Sequence, residues 1–385
     1  MIRSFKPKNI LMISYDYLPN IGGVAVYVHE ISKVLSQMGH KITILTQYKS
    51  ESSKIKQSTF NNIKVLRVPI SRLRKINDFQ YVYRMRRLIK KIQSEEKIDI
   101  IHWHTLNKDA KVMRKIKVDG IEVYTNHLSW FRMLYNQGKY DKIYSLIRKN
   151  SHIICPSLEI KRMSEELFDT DKIHYLPNGV NANLFNKDGN IGTNIREIFN
   201  IPFSDQVVLS TNRMEPIKGM TFLIDSIPSI LKKHPNTTFL IIGDGSQKNK
   251  LMKKVRLQDI DQSKVIFLGS LPNRDIREWM SMADVYVQPS LMEGCSIGLI
   301  EAMACAKAIV ATSVGGNLDI ICHQKSGLLI GPESSEKIIE AVSDLLDSQK
   351  KREEFGEKAR EKVENELNWV VIADQLTQIY EKILV

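Results

Sequence analysis

Short apolar runs of strand-forming composition alternate with longer segments of helical period along most of the chain. Residues 8–14 form such a run, residues 24–38 carry apolar side chains at helical spacing, and residues 41–46 form the next run. A strand, a helix and a second strand in this order predict a β-α-β unit, and therefore a parallel sheet. The other predicted strands continue the alternation at residues 63–68, 98–104, 121–127, 151–157, 206–211, 238–246 with its glycine turn, 265–269, 283–290, 308–312 and 327–330.

The length of 385 residues predicts about two domains. The turn-forming sequence Pro177-Asn178-Gly179 precedes a polar segment at residues 186–194, and the alternation of strands and helices then starts again. We therefore expect an α/β protein with one parallel-sheet domain at residues 1–190 and a second at 191–367.

The composition indicates the class of protein and its cellular compartment. The hydrophobic fraction of 43% and the charged fraction of 26% are ordinary for a globular protein. The sequence shows neither a signal-peptide pattern nor an apolar run of membrane-spanning length. Four cysteines without metal-site spacing predict reduced thiols in a cytoplasmic protein: Cys155, Cys295, Cys305 and Cys322.

The net charge of +13 favours an anionic partner. The sequence contains no nucleic-acid module, so we expect no nucleic-acid partner. Residues 81–92 form a basic amphipathic helix with Tyr81, Met85, Leu88, Ile89 and Ile92 on its apolar face. Such a helix either lies on an anionic membrane surface, which would place the protein peripherally on the inner face of the membrane, or packs on its own domain.

The most informative stretch is a strand at residues 283–290, a polar turn at 292–296 and an apolar helix from residue 297. Free N–H groups of a first helical turn, together with the helix dipole, favour an anion in the turn. Glu293 and Glu301 flank this site, and carboxylates there suit the hydroxyl groups of a sugar or ribose. A solvated glutamate at a helix start is the alternative interpretation of either one.

Three further groups predict ligand contacts. Arg213 and Lys218 flank a strand-to-helix turn, where two cations can neutralise a diphosphate. Gly22 and Gly23 let backbone approach a ligand, but their spacing is not that of a dinucleotide site. His127 ends a predicted strand, where open sheets bind ligands, with His104 as a second choice. Each histidine has the alternative of a buried structural group.

Glu293 and Glu301 form an E-x7-E pattern, which Ser313-Val314-Gly315-Gly316-Asn317 follows. This arrangement resembles the signature of retaining GT-B glycosyltransferases of glycosyltransferase family 4. The segment from Arg213 to Lys218 also resembles the family's G-R-x4-K-G element, with Asn212 in place of the glycine. The sequence at residues 177–180 resembles its P-N-G-V element. The resemblance covers nearly the whole chain.

The resemblance implies a GT-B fold, in which two Rossmann-like domains face a central cleft and the last helix, residues 368–385, crosses back onto the first domain. It implies that Glu293 contacts the donor sugar, that Glu301 binds the ribose and that His127 lies beside the sugar. Arg213 and Lys218 would act on the diphosphate. The remaining implied donor contacts are Gly22, Gly23, Asn212, Leu271, Gly294, Cys295, Ser296 and Ile297.

These residues predict retaining, metal-independent transfer of a hexose from a nucleotide diphosphate sugar to an acceptor hydroxyl, without a cofactor. We expect a UDP-sugar, with N-acetylglucosamine or glucose ahead of GDP-mannose. Weaker predictions place Tyr17, Asn126 and Trp130 at the acceptor, with Tyr135 beside them. The alternatives are a sugar-nucleotide epimerase, a glycoside hydrolase, a non-catalytic sugar-nucleotide-binding protein and a membrane-bound scaffold.

Overall fold

A computed structural model of the protein describes residues 6–19, 22–127, 129–187 and 193–384. These residues divide into two units. The first extends to Pro177 and includes the C-terminal helix from Trp369, and the second runs from Asn178 to Asn368. The described helices are all too short or too polar to cross a membrane.

The first unit alternates strands and helices as predicted. Its strands are β1 (Asn9–Ile13), β2 (Lys41–Lys49), β3 (Lys56–Phe60), β4 (Ile63–Ile70), β5 (Ile100–Trp103), β6 (Ile121–Thr125), β7 (His152–Cys155) and β8 (Ile173–Tyr175). Its helices are α1 (Gly23–Gln37), α2 (Arg74–Glu95), α3 (Asp109–Met113), α4 (Ser129–Asn136), α5 (Tyr140–Leu146) and α6 (Leu158–Glu165), joined by the C-terminal helix α15 (Trp369–Ile383).

The first sheet has eight strands in the order β3-β4-β2-β1-β5-β6-β7-β8. All neighbouring pairs are parallel except β3 and β4, which are antiparallel. The sequence analysis missed β3 because all five of its residues are exposed, so the strand has no apolar pattern. The sheet order places the ends of β1 and β5 side by side.

Helix α15 completes the core of the first unit, as the resemblance implied. Thr377 Oγ1 lies 3.2 Å from His40 Nε2, and the Tyr380 hydroxyl lies 2.6 Å from His102 Nδ1. Trp369 packs edge-on against Tyr27 of α1. These side chains are buried, so the last helix is part of the unit's interior and not an appendage.

The second unit repeats the architecture with six strands, β9 (Gln206–Thr211), β10 (Thr237–Ile242), β11 (Val265–Gly269), β12 (Val285–Gln288), β13 (Ala308–Thr312) and β14 (Leu328–Ile330). Its helices are α7 (Thr193–Ile198), α8 (Met220–Lys233), α9 (Lys248–Leu257), α10 (Asn273–Met282), α11 (Ile297–Ala304), α12 (Asn317–Ile320), α13 (Ser335–Asp347) and α14 (Gln349–Lys362). Apolar clusters cover both faces of the sheet.

The second sheet is fully parallel, in the order β11-β10-β9-β12-β13-β14. This is the doubly wound order in which the direction of winding reverses between the first and fourth strands. Here the reversal falls between β9 and β12. Ligands of such sheets bind beyond the carboxyl ends of the two strands at this point.

The boundary between the units lies earlier than the predicted boundary at residue 190. Asn178 bonds to Cys295, and Val180 bonds to the Leu367 carbonyl, so this segment belongs to the second unit. Val180 and Phe185 are also buried in its core. The predicted linker at 186–194 lies partly outside the described residues.

Helix α2 settles the two interpretations of residues 81–92. The predicted apolar face is buried, and the Tyr81 hydroxyl donates to Asp109 Oδ1 at 2.6 Å. Arg86 Nε donates to the Val112 carbonyl at 3.2 Å. The helix therefore packs on its own unit, and the prediction that this apolar face binds a membrane is wrong because the face is already covered.

Candidate active site

Two loops leave the sheet of the second unit at the point where its winding reverses. Strands β9 and β12 are direct neighbours, with Leu209 opposite Tyr286. The first loop, after β9, carries Arg213 and Lys218, and the second, after β12, carries Glu293. The sheet order thus brings together residues that are about 80 positions apart in sequence.

An ion pair joins the two loops. Lys218 Nζ lies 2.5 Å from Glu293 Oε1, and both side chains are largely buried. Glu293 Oε1 also accepts hydrogen bonds from Gln288 Nε2 and Ser290 Oγ, each at 2.6 Å. We call the set Asn212, Lys218, Gln288, Ser290 and Glu293 the cradle. Its carboxylate is held by three donors, so its position is defined.

Gln288 is the centre of the cradle, and the sequence analysis missed it. It is fully buried, and its Nε2 also contacts Asn212 Oδ1 at 2.8 Å. The Tyr286 hydroxyl donates to Gln288 Oε1 at 2.9 Å, which fixes the amide orientation. Asn212, which stands where the family has a glycine, is thus a hydrogen-bond partner of Gln288. A polar residue inside an otherwise apolar predicted strand was the available signal.

The turn before α11 is braced from the beginning of the second unit. Asn178 Nδ2 donates to the Cys295 carbonyl at 2.7 Å, and Asn178 N–H points at Cys295 Sγ at 3.4 Å. Burial raises the pKa of the Cys295 thiol to about 12, so the thiol is neutral and not a nucleophile at neutral pH. Cys295 therefore contributes backbone geometry to the turn.

Gly316 fixes the other side of this turn. A Cβ atom on Gly316 would lie 2.0 Å from the Gly294 carbonyl oxygen, so only glycine permits this approach. Asn317, which follows it, donates from Nδ2 to the Thr312 carbonyl at 3.0 Å. The Ser-Val-Gly-Gly-Asn segment of the sequence therefore packs directly on the turn of the E-x7-E segment.

Helix α11 begins as predicted. Ser296 is its N-cap, with Oγ accepting from Leu299 N–H at 3.3 Å, and Ile297 is the first helical residue. Cap geometry of this kind leaves the other N–H groups of the first turn directed out of the helix start. Glu301 lies in the second turn and is buried. The alternative interpretation of Glu301 as a solvated surface glutamate is therefore wrong.

Two predicted donor contacts stand apart from the cradle. The Arg213 side chain is exposed and makes no hydrogen bond or ion pair with the residues that the structure describes. Leu271 follows β11, at the edge of the sheet, and packs partly buried against the core. Gly219, between the first loop and α8, has a φ of 61° and lies against the Pro289 carbonyl, so the two loops also meet through backbone.

The first unit gathers His102, His104 and His127 at the ends of β5 and β6, and we call these residues the histidine cluster. His104 Nδ1 lies 3.3 Å from His127 Nε2, and the rings of His102 and His104 are 4.4 Å apart. Burial lowers the pKa of His102 and of His127 to about 3 and that of His104 well below its usual value. All three are therefore neutral at pH 7.

The histidine cluster retains hydrogen-bonding groups that the described residues do not satisfy. Nε2 of His104 is buried and has no hydrogen-bond partner within the part of the chain that the structure describes. His127 packs edge-on against Tyr27, at 5.0 Å between ring centroids, and is only partly buried. A neutral, partly accessible His127 can donate or accept one hydrogen bond without a charge.

The loop after β1 lies next to this region and is held by a buried carboxylate. Asp109 accepts from the Tyr15 N–H at 3.1 Å and from the Thr105 N–H at 2.8 Å. Burial raises the pKa of Asp109 to about 7. Gly22 precedes α1 and Gly23 begins it, with open space around the Cα of Gly22. Residues 20 and 21, within the predicted loop, lie outside the described residues.

The predicted acceptor residues differ in accessibility. Tyr17 is buried, and its hydroxyl lies 3.1 Å from His29 Nδ1. Asn126 is fully buried as well, whereas Trp130 is exposed and has Lys142 Nζ 5.1 Å from its ring centroid. Tyr135 binds Glu166 through its hydroxyl. Trp130 is therefore the most accessible of the set.

No group of three or more His, Cys, Asp or Glu side chains among the described residues has the geometry of a metal site.

Comparisons with known proteins agree with this architecture. Residues 21–184 match the family model described as Glycosyltransferase Family 4, and residues 192–362 match the one described as Glycosyl transferases group 1. The chain is 24% identical to the gpi3 subunit of phosphatidylinositol N-acetylglucosaminyltransferase from Schizosaccharomyces pombe, over 97% of this chain and 80% of that protein.

Solved structures show the same fold. Sucrose-phosphate synthase from Thermosynechococcus elongatus aligns with a TM-score of 0.83 at 20% identity, covering 98% of this chain and 99% of that one. Anabaena HepE in complex with UDP-glucose aligns with a TM-score of 0.79 at 19% identity, covering 97% of this chain and 100% of that one. The family models, the doubly wound second sheet and the E-x7-E segment at the point where the winding of that sheet reverses all indicate the same family. The chain belongs to the glycosyl transferases group 1 of glycosyltransferase family 4, and it is a glycosyltransferase of the GT-B fold.

Proposed function

We propose that the protein transfers a hexose from a nucleotide diphosphate sugar to an acceptor hydroxyl, with retention of anomeric configuration and without a metal ion. The observation that carries the proposal is the Lys218–Glu293 ion pair at the switch point of the second sheet. The pair combines a cation with a carboxylate that is proposed to bind hydroxyl groups, three residues before the N-cap of α11. A diphosphate sugar needs both kinds of group.

The chemical difficulty is the charge of the leaving group. As the bond between the sugar C1 and the β-phosphate oxygen breaks, negative charge grows on the diphosphate. Lys218, the exposed Arg213 and the N–H groups of the first turn of α11 are the groups proposed to stabilise it. Two cations and a helix start supply the charge that a divalent ion supplies elsewhere, which supports a metal-independent reaction.

The buried carboxylates support recognition of hydroxyl groups. Glu293 is aimed by Gln288 and Ser290, and it would accept from hydroxyls of the donor sugar. Glu301, buried in the second turn of α11, would accept from the ribose. With both carboxylates used for binding, the acceptor oxygen would bond to C1 from the face that the phosphate leaves, and its proton would pass to the departing phosphate oxygen.

The donor is proposed to be UDP-N-acetylglucosamine or UDP-glucose, ahead of GDP-mannose. The Schizosaccharomyces pombe relative is named as part of an N-acetylglucosaminyltransferase, and HepE was solved with UDP-glucose. The acceptor is proposed to meet the first unit at Trp130 and His127, with Asn126 beneath them. The phosphatidylinositol in the relative's name favours a lipid-linked acceptor over a soluble polysaccharide or a small natural product.

Calorimetry with UDP and GDP tests the donor site first. We expect the wild type to prefer UDP, Lys218→Ala to weaken binding about tenfold, and Lys232→Ala, an exposed lysine of α8, to leave binding unchanged. Failure to bind either nucleotide would overturn the proposal.

A donor screen that measures UDP or GDP release, with and without acceptor, tests the reaction. Mass spectrometry identifies the product, NMR gives its anomeric configuration, and EDTA tests the need for a metal. An altered free sugar made without acceptor would identify an epimerase, and binding without turnover would identify a sugar-nucleotide-binding protein.

A further inference from the structure

One hydrogen bond joins His104 and His127 at the ends of β5 and β6. His104 Nδ1 lies 3.3 Å from His127 Nε2, and the planes of the two rings are tilted by 37°. Burial keeps both rings neutral at pH 7 by lowering the pKa of each. A neutral imidazole has one nitrogen that donates and one that accepts. The bond therefore has two possible directions, and each direction assigns a different tautomer to both rings.

The surroundings of His104 distinguish the two directions. Its Nε2 is buried and has no hydrogen-bond partner within the described part of the chain. The rings of His102 and Tyr27 pack against His104, with centroids 4.4 and 5.7 Å from its own. If His127 were the donor, the proton of His104 would be on Nε2, as a buried N–H without an acceptor. If His104 donates from Nδ1, its Nε2 has only an unused lone pair.

The second direction is favoured, because a buried N–H without an acceptor is rarer in protein interiors than an acceptor with an unused lone pair. His127 then accepts at Nε2 and carries its own proton on Nδ1. His127 is partly exposed, whereas His104 is 1% exposed. Tyr27 packs edge-on against the His127 ring, with centroids 5.0 Å apart, and Trp369 packs in turn on Tyr27. The ring is therefore held in place while Nδ1 is left for a ligand.

We infer that His104 is a positioning residue, which holds His127 in the Nδ1–H tautomer so that His127 donates a hydrogen bond to an oxygen of the bound acceptor. In this tautomer His127 has no free lone pair, because Nε2 accepts from His104 and Nδ1 carries the proton. His127 therefore orients the acceptor and is not the base that deprotonates it. The acceptor proton passes to the departing phosphate oxygen, as in the proposed reaction.

The contact with the acceptor rests on the proposed function, but the tautomer does not. Nitrogen-15 NMR of the full chain labelled at histidine measures the tautomer without substrate, because couplings to the ring protons distinguish a protonated Nδ1 from a protonated Nε2. The variant His127→Gln assigns the signals by their loss. We expect the proton of His127 on Nδ1 at pH 7, although a free imidazole side chain prefers Nε2. In His104→Leu it should return to Nε2.

Kinetics separate positioning from a merely structural role. His104→Leu should lower kcat/KM for the acceptor about tenfold. Its affinity for UDP should be unchanged, because UDP contains no acceptor. His104→Asn should recover most of the activity, because the asparagine amide nitrogen is bonded to Cγ, as imidazole Nδ1 is, and can donate to His127.

His40→Leu is the matched control for His104→Leu. His40 is a buried histidine of the same unit, and its Nε2 lies 3.2 Å from Thr377 Oγ1. Its loss should lower the melting temperature but leave kcat/KM for the acceptor unchanged.

Three results would overturn the inference. They are a proton on Nε2 of His127 in the wild type, an Nδ1–H form that survives in His104→Leu, and equal losses of kcat/KM in His104→Leu and His40→Leu. The first two are measured even if the protein transfers no sugar. If it transfers sugar while His127 carries its proton on Nε2, the proposed function stands and only the role of His104 is wrong.

Discussion

The cradle and the histidine cluster both lie at strand ends of doubly wound sheets, but they are built in opposite ways. In the cradle, Glu293 is held by Lys218, Gln288 and Ser290 before any ligand arrives. In the histidine cluster, neutral rings pack against one another at a tilt and a buried nitrogen of His104 has no partner among the described residues. A charged ligand needs fixed counter-charges, whereas neutral rings offer shape and single hydrogen bonds.

The difference shows which interactions stabilise each of the two sites. Polar groups of the cradle stabilise one another, so removal of one leaves its partners buried and unsatisfied. The histidine cluster is stable only while its rings remain uncharged, because protonation would place a charge in an apolar interior. The two sites should therefore fail under different treatments, and four predictions separate them.

Arg213→Ala should have the largest effect, and it should act on the reaction alone. Arg213 is exposed, so its loss removes no buried contact, but it is proposed to stabilise the departing diphosphate. Turnover should fall roughly 10²-fold with an unchanged melting temperature. Steady-state kinetics on the natural donor measures this. Arg256→Ala, at an exposed arginine of α9, is the control, and near full activity in Arg213→Ala would refute its role.

Acid should destabilise the protein through the histidine cluster. The pKa of His102 is about 3 in the folded chain, below its usual 6.5, so its contribution is complete above pH 6.5 and is lost as pH falls. At pH 5 the free energy of unfolding is lower by about 2 kcal/mol because of the fully buried His102. Asp109 acts in the opposite sense, because its raised pKa adds stability as pH falls from about 7.

Comparison of variants isolates the histidine term. Denaturant unfolding at pH 7 and pH 5 should show a smaller acid loss for His102→Gln than for the wild type. His323→Gln, at an exposed histidine of the second unit, should keep the wild-type pH dependence. Equal pH dependence in all three proteins would contradict the assignment of the titration to the histidine cluster.

Gln288→Leu should weaken the cradle without touching the first unit. Leucine keeps the volume roughly but leaves Asn212, Ser290 and Tyr286 with buried polar atoms that lose a partner. We expect about 1.5 kcal/mol of lost stability and UDP binding about tenfold weaker, because Glu293 loses one of its three donors. Chemical denaturation and calorimetry measure the two effects.

The control for Gln288→Leu is Gln206→Leu, which removes a glutamine of β9 that is half-buried and bonds to the Leu346 carbonyl at 2.9 Å. It should lose some stability but keep UDP affinity. If both variants bind UDP equally well, the cradle does not aim Glu293.

Gly316→Ala should have the smallest effect of the four. The added methyl group meets the Gly294 carbonyl, which is backbone and must shift together with the turn. We expect about 1 kcal/mol of lost stability and a measurable drop in UDP affinity. Gly331→Ala is the matched control, because the space around Gly331 is open. Identical melting temperatures for the two variants would show that the turn tolerates the shift.

The sequence predicted the parts of the site that depend on local chemistry. The strand, turn and helix around Glu293 and the two cations near β9 all have local signals, and the structure has them at these positions. Gln288 was missed because its role depends on neighbours from another strand.

The C-terminal helix has a consequence for the way the protein is made. The chain enters the second unit after Pro177 and returns to the first at Trp369, so the later unit is an insertion within the earlier one. During synthesis the inserted unit is complete while the interior around His102 still lacks Tyr380. The usual order, in which the N-terminal domain matures first, is therefore reversed, and the first sheet awaits a segment that is synthesised after the whole second unit.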